Sequence, residues 1–330
     1  MRRVLVRLPN WLGDALMARP LLHALRAGLP GTAIAAVGPP ALLELLAGDG
    51  AWDEAHAWPL ATGAMAALRA DRADAAIVLP PSFSSAWFAF RTGAAVRVGF
   101  AHEGRSPLLT RALRRPARGD LHLSREYLRL AEAVGVTAAA AAPPLAVTDA
   151  ARAQARELLG GVAEGAYAVL APGAAYGPAK RWPAARFAET GRSLAARGWR
   201  LLACGAAAER AACAEVAQAC GAVSLAGRTS LAAMAAVCAG AAVVVSNDSG
   251  LAHLAGAVGA PTVTVFGSTS SAWTAPLGPR VAVAQRAPAC APCFARTCRI
   301  GYRCLEAVTV NDVLAAVARA RNGRGGGSGS

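Results

Sequence analysis

Residues 241–268, AAVVVSNDSGLAHLAGAVGAPTVTVFGS, constrain the fold of this chain more than any other stretch. The β-branched run at 243–245 has the character of a parallel strand covered on both faces. The polar turn at 246–250, SNDSG, carries residue types that start helices, and 251–258 has the small and apolar residues of a short buried helix. Gly259 supplies a stop and Pro261 forbids continuation, after which TVTVF at 262–266 is a second strand. The reading is one βαβ unit whose polar residues lie where the first strand hands over to the helix. Ligands of open α/β sheets bind at that carboxyl edge. A helix N-terminus there offers unpaired N–H groups and a partial positive charge, which suits a phosphate. Asp248 would repel that phosphate, so it is expected to cap the helix or to accept hydrogen bonds from sugar hydroxyls.

The same alternation of strands and helices runs through the chain and predicts parallel sheets. Strands at 3–8, 32–37, 75–79 and 96–100, with helices at 15–27, 40–46 and 123–134, make a first half. A low-complexity segment at 137–144, TAAAAAPP, reads as a linker. Strands at 167–171, 200–204, 223–225, 242–245 and 262–266, with helices at 184–196, 209–219 and 231–239, make a second half, and 311–321 is a last helix. At 330 residues a single core is at its upper limit. The expectation is therefore an α/β protein of two Rossmann-like domains with a cleft between them, 1–145 and 146–322, the last helix being within reach of packing back on the first. The stretch 323–330, GRGGGSGS, is set aside as a flexible tail. Neither half contains G-x-G-x-x-G or G-x-x-x-x-G-K-[ST], which argues against a nicotinamide dehydrogenase and a P-loop ATPase.

Composition sharpens the choice of ligand. The formal net charge of +14 favours anionic partners. Lys180 is the only lysine among 34 basic residues; the rest are arginine. A site that needs a compact, strongly hydrated point charge on a flexible stem would resist that exchange. Arg7, Pro9, Asn10 and Asp14 interrupt the first apolar run before a signal-peptide core forms, and the Ala-rich uncharged stretch 230–247 falls inside the α/β reading. Without an export signal, eight cysteines argue against a disulfide framework, and the cytoplasm is the expected compartment.

Three stretches carry the residues that chemistry would use. The first is 8–14, LPNWLGD, at the end of the first strand: Asp14 is either a helix cap or a general base able to take a proton from an attacking hydroxyl. The second is 171–183, APGAAYGPAKRWP, a loop shaped by glycines and prolines from which Lys180 can reach a pyrophosphate. The third is 247–253, NDSGLAH, with Asp248, Ser249 and Gly250 at the helix start and His253 one turn inside. His253 is either a satisfied structural residue or a contact to phosphate or sugar.

In this order, these stretches resemble glycosyltransferase family 9, the lipopolysaccharide heptosyltransferases, and within it the branch that adds the second heptose. The start at 8–14 is similar to P-[NS]-W-[LV]-G-D, 172–183 to P-G-A-x-[FY]-G-P-A-K-R-W-P, and 246–253 to [ST]-N-D-S-G-L-x-H. LPPSFSSA at 79–86 and LAGRT at 225–229 match two further family segments. The resemblance runs from about residue 4 to about residue 314. It implies a GT-B fold, with acceptor bound mainly by the first domain and nucleotide sugar by the second. It implies inverting transfer of heptose from ADP-L-glycero-D-manno-heptose to the first heptose on Kdo-lipid A, the inner core of lipopolysaccharide, without a cofactor or catalytic metal. By motif match, Asp14 would be the base, Lys180 would neutralise the departing diphosphate, and Asp248, Ser249, Gly250 and His253 would hold the donor. Closure of the two domains would assemble the site and exclude water. The sequence departs from its relatives at 230–233, SLAA, where an acid that contacts ribose stands in some of them.

Two further features stand beside the resemblance. Residues 91–125 hold eight arginines against Glu103 and Asp120, a solvated basic face or a surface for lipid phosphates, Kdo carboxylates and the anionic inner face of the inner membrane. Nothing supports nucleic acid as the partner. Cys290, Cys293, Cys298 and Cys304 are expected to play a structural part, as metal ligands, disulfides or free thiols. The alternatives to the heptosyltransferase reading are a family member using another nucleotide sugar or acceptor, a sugar-nucleotide epimerase, and a binding module that kept only the donor pocket.

Overall fold

The computed structural model describes residues 1–137 and 141–323. Part of the expected linker (138–140) and nearly all of the expected tail (324–330) lie outside the described residues. The chain divides into two compact units, Met1–Leu145 and Ala146–Ser330.

The first unit is built on six parallel strands: β1 (Arg3–Arg7), β2 (Ala33–Gly38), β3 (Glu54–Ala57), β4 (Ala75–Val78), β5 (Val96–Phe100) and β6 (Arg111–Leu113). Their spatial order is β3-β2-β1-β4-β5-β6. The second unit repeats the plan with β7 (Tyr167–Ala171), β8 (Arg200–Ala203), β9 (Val223–Ser224), β10 (Val243–Asn247), β11 (Thr262–Phe266) and β12 (Val281–Gln285), ordered β12-β11-β10-β7-β8-β9 and again parallel throughout. Both sheets have the doubly wound order in which the chain reverses direction beside its first strand. The reversal falls between β1 and β4 in one unit and between β7 and β10 in the other.

The central strands were all predicted, because they are apolar runs: β4, β7, β10 and β11 are buried at every position, and of the edge strands only β9 was anticipated. The strands not anticipated are edges. β3 is EAHA and β6 is RAL, both largely exposed, and β12 closes the second sheet with alternating burial. The expected helix at 15–27 is two helices, Leu12–Met17 and Arg19–Gly28, meeting at Ala18. Helices at Ala64–Ala70, Phe83–Thr92 and Asp149–Leu159 are additional. The last helix, Val310–Arg321, packs on β10, β11, β12 and the helix Ala184–Ala195 of its own unit. No helix among the described residues is long and apolar enough to cross a membrane.

Candidate functional site

In the second unit, the two loops that leave the reversal point are the two that carry the predicted donor residues. Asn247, the last residue of β10, is buried and ties the loops together. Its side-chain amide donates to Pro172 O at 2.7 Å, and its carbonyl accepts from Trp182 N–H at 3.0 Å. This staple fixes both ends of the segment that holds Lys180.

Lys180 ends a single 3₁₀ turn, Pro178–Lys180. Its ammonium lies 2.5 Å from Asp248 Oδ2 and 4.9 Å from the centroid of the Tyr176 ring. Both members of the ion pair are largely shielded, with 15% and 3% of their side-chain surfaces exposed. Thr269 Oγ1 donates to the same Asp248 oxygen at 2.6 Å. Asp248 therefore does not cap the following helix, contrary to one of the two expectations for it; a lysine and a threonine occupy its carboxylate. The pair also gives a physical reason for a lysine in an arginine-rich chain. The compact ammonium sits against one carboxylate oxygen and near the face of a ring that Arg296 also approaches, its Cζ 5.5 Å from the Tyr176 centroid.

The segment 294–296 braces the loop from outside. Tyr176 Oη donates to Phe294 O at 2.6 Å, Arg296 Nε donates to Tyr176 O at 2.8 Å, and Ala179 N–H donates to Arg296 O at 3.1 Å. Gly177 has φ +150°, and a Cβ there would stand 2.6 Å from Arg296 O, so the approach requires glycine. This segment is part of the cysteine-rich stretch. All eight cysteines are free thiols, and no three His, Cys, Asp or Glu among the described residues are gathered as a metal cage. Cys298 accepts N–H contacts from Ile300 and Tyr302 at 3.4 and 3.3 Å, and these hold its thiol below the ordinary value.

The helix that follows β10 is Gly250–Ala257. Its N-cap is Ser249, whose side chain makes no capping bond and pairs instead with Ser246 Oγ at 3.0 Å. The first turn is thus left uncapped by any side chain, while Gly250 and Leu251 remain partly accessible. His253 is buried one turn inside. A lysine ammonium paired with Asp248 and an uncapped helix start thus lie at the carboxyl edge of the second sheet, groups of the kind that bind a phosphate.

Sequence reasoning missed Glu209. It follows β8, and a Cβ on Gly173 would lie 2.2 Å from its carboxyl carbon, so the carboxylate rests directly on the β7 loop. It also accepts Ala206 N–H at 2.8 Å. Ser230 itself caps the helix Leu231–Ala239 through Ala233 N–H at 3.1 Å. The signal for Glu209 was Gly205 at the end of a strand with an acid four residues on.

The first unit presents its own pair of reversal-point loops. Asp14 lies in the first turn of the helix Leu12–Met17, whose N-cap is Trp11, so Asp14 is not the cap. It is partly exposed, and its charge adds to burial in pushing the Tyr127 hydroxyl above its ordinary value. Arg7 shapes this loop, donating to Leu8 O and, at 2.7 Å, to Asn10 Oδ1. Burial lowers the Arg7 guanidinium to about 10. The loop after β4 is held in the same way by Arg105, fully buried and bonded to Pro80 O at 2.6 Å and Ser85 Oγ at 2.7 Å. Of the arginine-rich stretch, Arg105 and Arg115 are therefore structural; Arg115 pairs at 2.8 Å with the buried Glu126. Arg91, Arg114, Arg118 and Arg125 are exposed.

Residues 64–303 match the family described as Glycosyltransferase family 9 (heptosyltransferase). The chain belongs to glycosyltransferase family 9. It is 32% identical over 305 residues to lipopolysaccharide heptosyltransferase 2 of Escherichia coli K12, covering 85% of this chain and 87% of that one. It is 31% identical over 307 residues to lipooligosaccharide heptosyltransferase 2 of Haemophilus influenzae, covering 85% and 87%. The solved structure of the E. coli ADP-heptose heptosyltransferase II superposes with a TM-score of 0.83 at 27% identity, over 98% of this chain and 99% of that one. Membership in family 9 makes the protein a glycosyltransferase, and its two Rossmann-like domains are those of the GT-B fold.

Proposed function

We propose that this family 9 enzyme transfers heptose, with inversion, from ADP-L-glycero-D-manno-heptose to the first heptose of the lipopolysaccharide inner core. One observation carries the donor side: Lys180 is pinned beside an uncapped helix start at the reversal point of the second sheet. As the sugar leaves, charge grows on the ADP diphosphate, and a preoriented ammonium with backbone N–H groups stabilises it. Asp248 holds Lys180 in place. Ser249, Gly250 and His253 complete the donor side. Asp14 takes the proton of the acceptor hydroxyl as it attacks the anomeric carbon from the face opposite ADP. The first domain binds Kdo-lipid A carrying heptose, and the enzyme works peripherally at the anionic inner face of the inner membrane. The similarity to second-heptose transferases supports this acceptor over other members' substrates.

The test is ADP release from ADP-heptose with and without that acceptor. Acceptor-dependent release is expected. Tight donor binding with no release would replace transfer with a binding role.

A further inference from the structure

The helix Phe83–Thr92 turns three large aromatic side chains outward. Phe83, Trp87 and Phe90 are 50%, 46% and 47% exposed, although the same helix buries Ala86, Phe88 and Ala89 against its sheet. Their spacing, i, i+4 and i+7, puts them in one stripe. Trp87 and Phe90 stack with centroids 5.6 Å apart. A pair already stacked, on a regular helix, presents a rigid apolar ridge that needs little ordering on contact.

Along this stretch the charge is one-signed. No Asp or Glu occurs between Asp74 and Glu103. Arg91 is exposed on the helix itself. The Arg97 guanidinium lies 5.7 Å from the Phe90 ring centroid. Exposed Arg69, on the neighbouring helix, reaches to within 3.8 Å of where a Cβ of Gly93 would sit, at the C-terminal end of the stripe. An aromatic ridge bordered by arginines matches a bilayer interface with anionic headgroups, where Trp and Phe sit at headgroup depth and arginines meet phosphates. A second copy of the chain is a poorer occupant, because a twofold contact would face the same arginines against each other.

We infer that the outward face of the helix Phe83–Thr92 is a membrane-docking surface, with Phe83, Trp87 and Phe90 entering the interface and Arg69 and Arg91 on lipid phosphates. This deepens the membrane part of the proposed function and rests on it. The helix springs from the carboxyl end of β4, and Leu79 N–H donates to Arg7 O, so it leaves the same sheet edge as the Asp14 loop. A lipid-anchored acceptor held at that surface arrives beside the base.

Flotation of the full chain with phosphatidylglycerol-containing vesicles and with pure phosphatidylcholine vesicles tests it. The wild-type chain is expected to float with the anionic vesicles. W87S/F90S should lower the partition coefficient at least about tenfold. R69S/R91S should lose the preference for anionic vesicles and the sensitivity to salt. Circular dichroism verifies that both variants are folded. Folded variants that partition like wild type would overturn the inference. So would a change of sedimentation mass in W87S/F90S without a change in flotation, which would assign the ridge to a second copy. ADP release from detergent-dispersed acceptor needs no bilayer, so failure of the transferase reading is seen separately.

Discussion

At the scale of single residues, the roles proposed for Lys180 and Asp14 are separable. Lys180→Ala removes the ammonium and leaves Asp248 with Thr269 alone, so ADP affinity measured by calorimetry should fall, with kcat down about 10²–10³-fold. Lys180→Arg should restore it only in part, because a planar guanidinium spreads the charge that the ammonium concentrates beside Asp248 Oδ2. Asp14→Asn keeps the shape of its helix turn and removes the proton acceptor. Turnover should drop about 10²–10⁴-fold while ADP affinity stays at the wild-type value; an unchanged rate would remove Asp14 from the mechanism. The thiols separate as well. Burial pushes Cys213 and Cys238 up to about 12 and raises Cys204 well above its ordinary value, whereas backbone N–H groups from Ile300 and Tyr302 lower Cys298. Iodoacetamide at neutral pH, read by mass spectrometry, should mark Cys298 and spare those three.

At the scale of elements, the proposed donor site is a junction of loops held by few bonds. Asn247 alone joins the end of β10 to Pro172 and Trp182. Asn247→Ala leaves a buried carbonyl and a buried N–H without their partner, a loss of about 1–3 kcal/mol. Thermal unfolding should shift down accordingly, and ADP affinity should fall with it because Lys180 is no longer aimed. The central elements were legible in the sequence because strands covered on both faces must be apolar runs. The edge strands β3 and β6 were not, since residues such as Glu54 and Arg111 meet solvent and one neighbour rather than a core. The helix Phe83–Thr92 escaped notice for a related reason: its apolar residues face outward as well as inward and erase the helical period.

At the scale of the whole molecule, arginines and backbone donors hold scattered carboxylates below their ordinary range. Arg26 and the Ile34 N–H lower Asp53, Arg3 lowers Glu54, and the N–H groups of Arg3 and Arg2 lower Asp74. Burial alone would raise Asp49, but hydrogen bonds from His23 and Arg19 outweigh it. Arg286 and Thr309 bring Asp312 to about 2. Each folded value lies below its unfolded one, so the stabilisation is present above about pH 4 and lost as pH falls through the folded values. The melting temperature should be level above about pH 5 and fall between about pH 4 and 2. A flat profile across that window would show that these pairs stabilise nothing. The sequence by itself determined the two-unit α/β plan, the loops that hold the proposed site residues and the family, because buried parallel strands and shaped loops leave local patterns. Only the tertiary structure decided that Lys180 and Asp248 form one pair, that Glu209 rests on Gly173, and that Arg105 faces inward while Arg91 faces out. Those relations join residues distant along the chain, and no local spacing encodes which charge meets which partner.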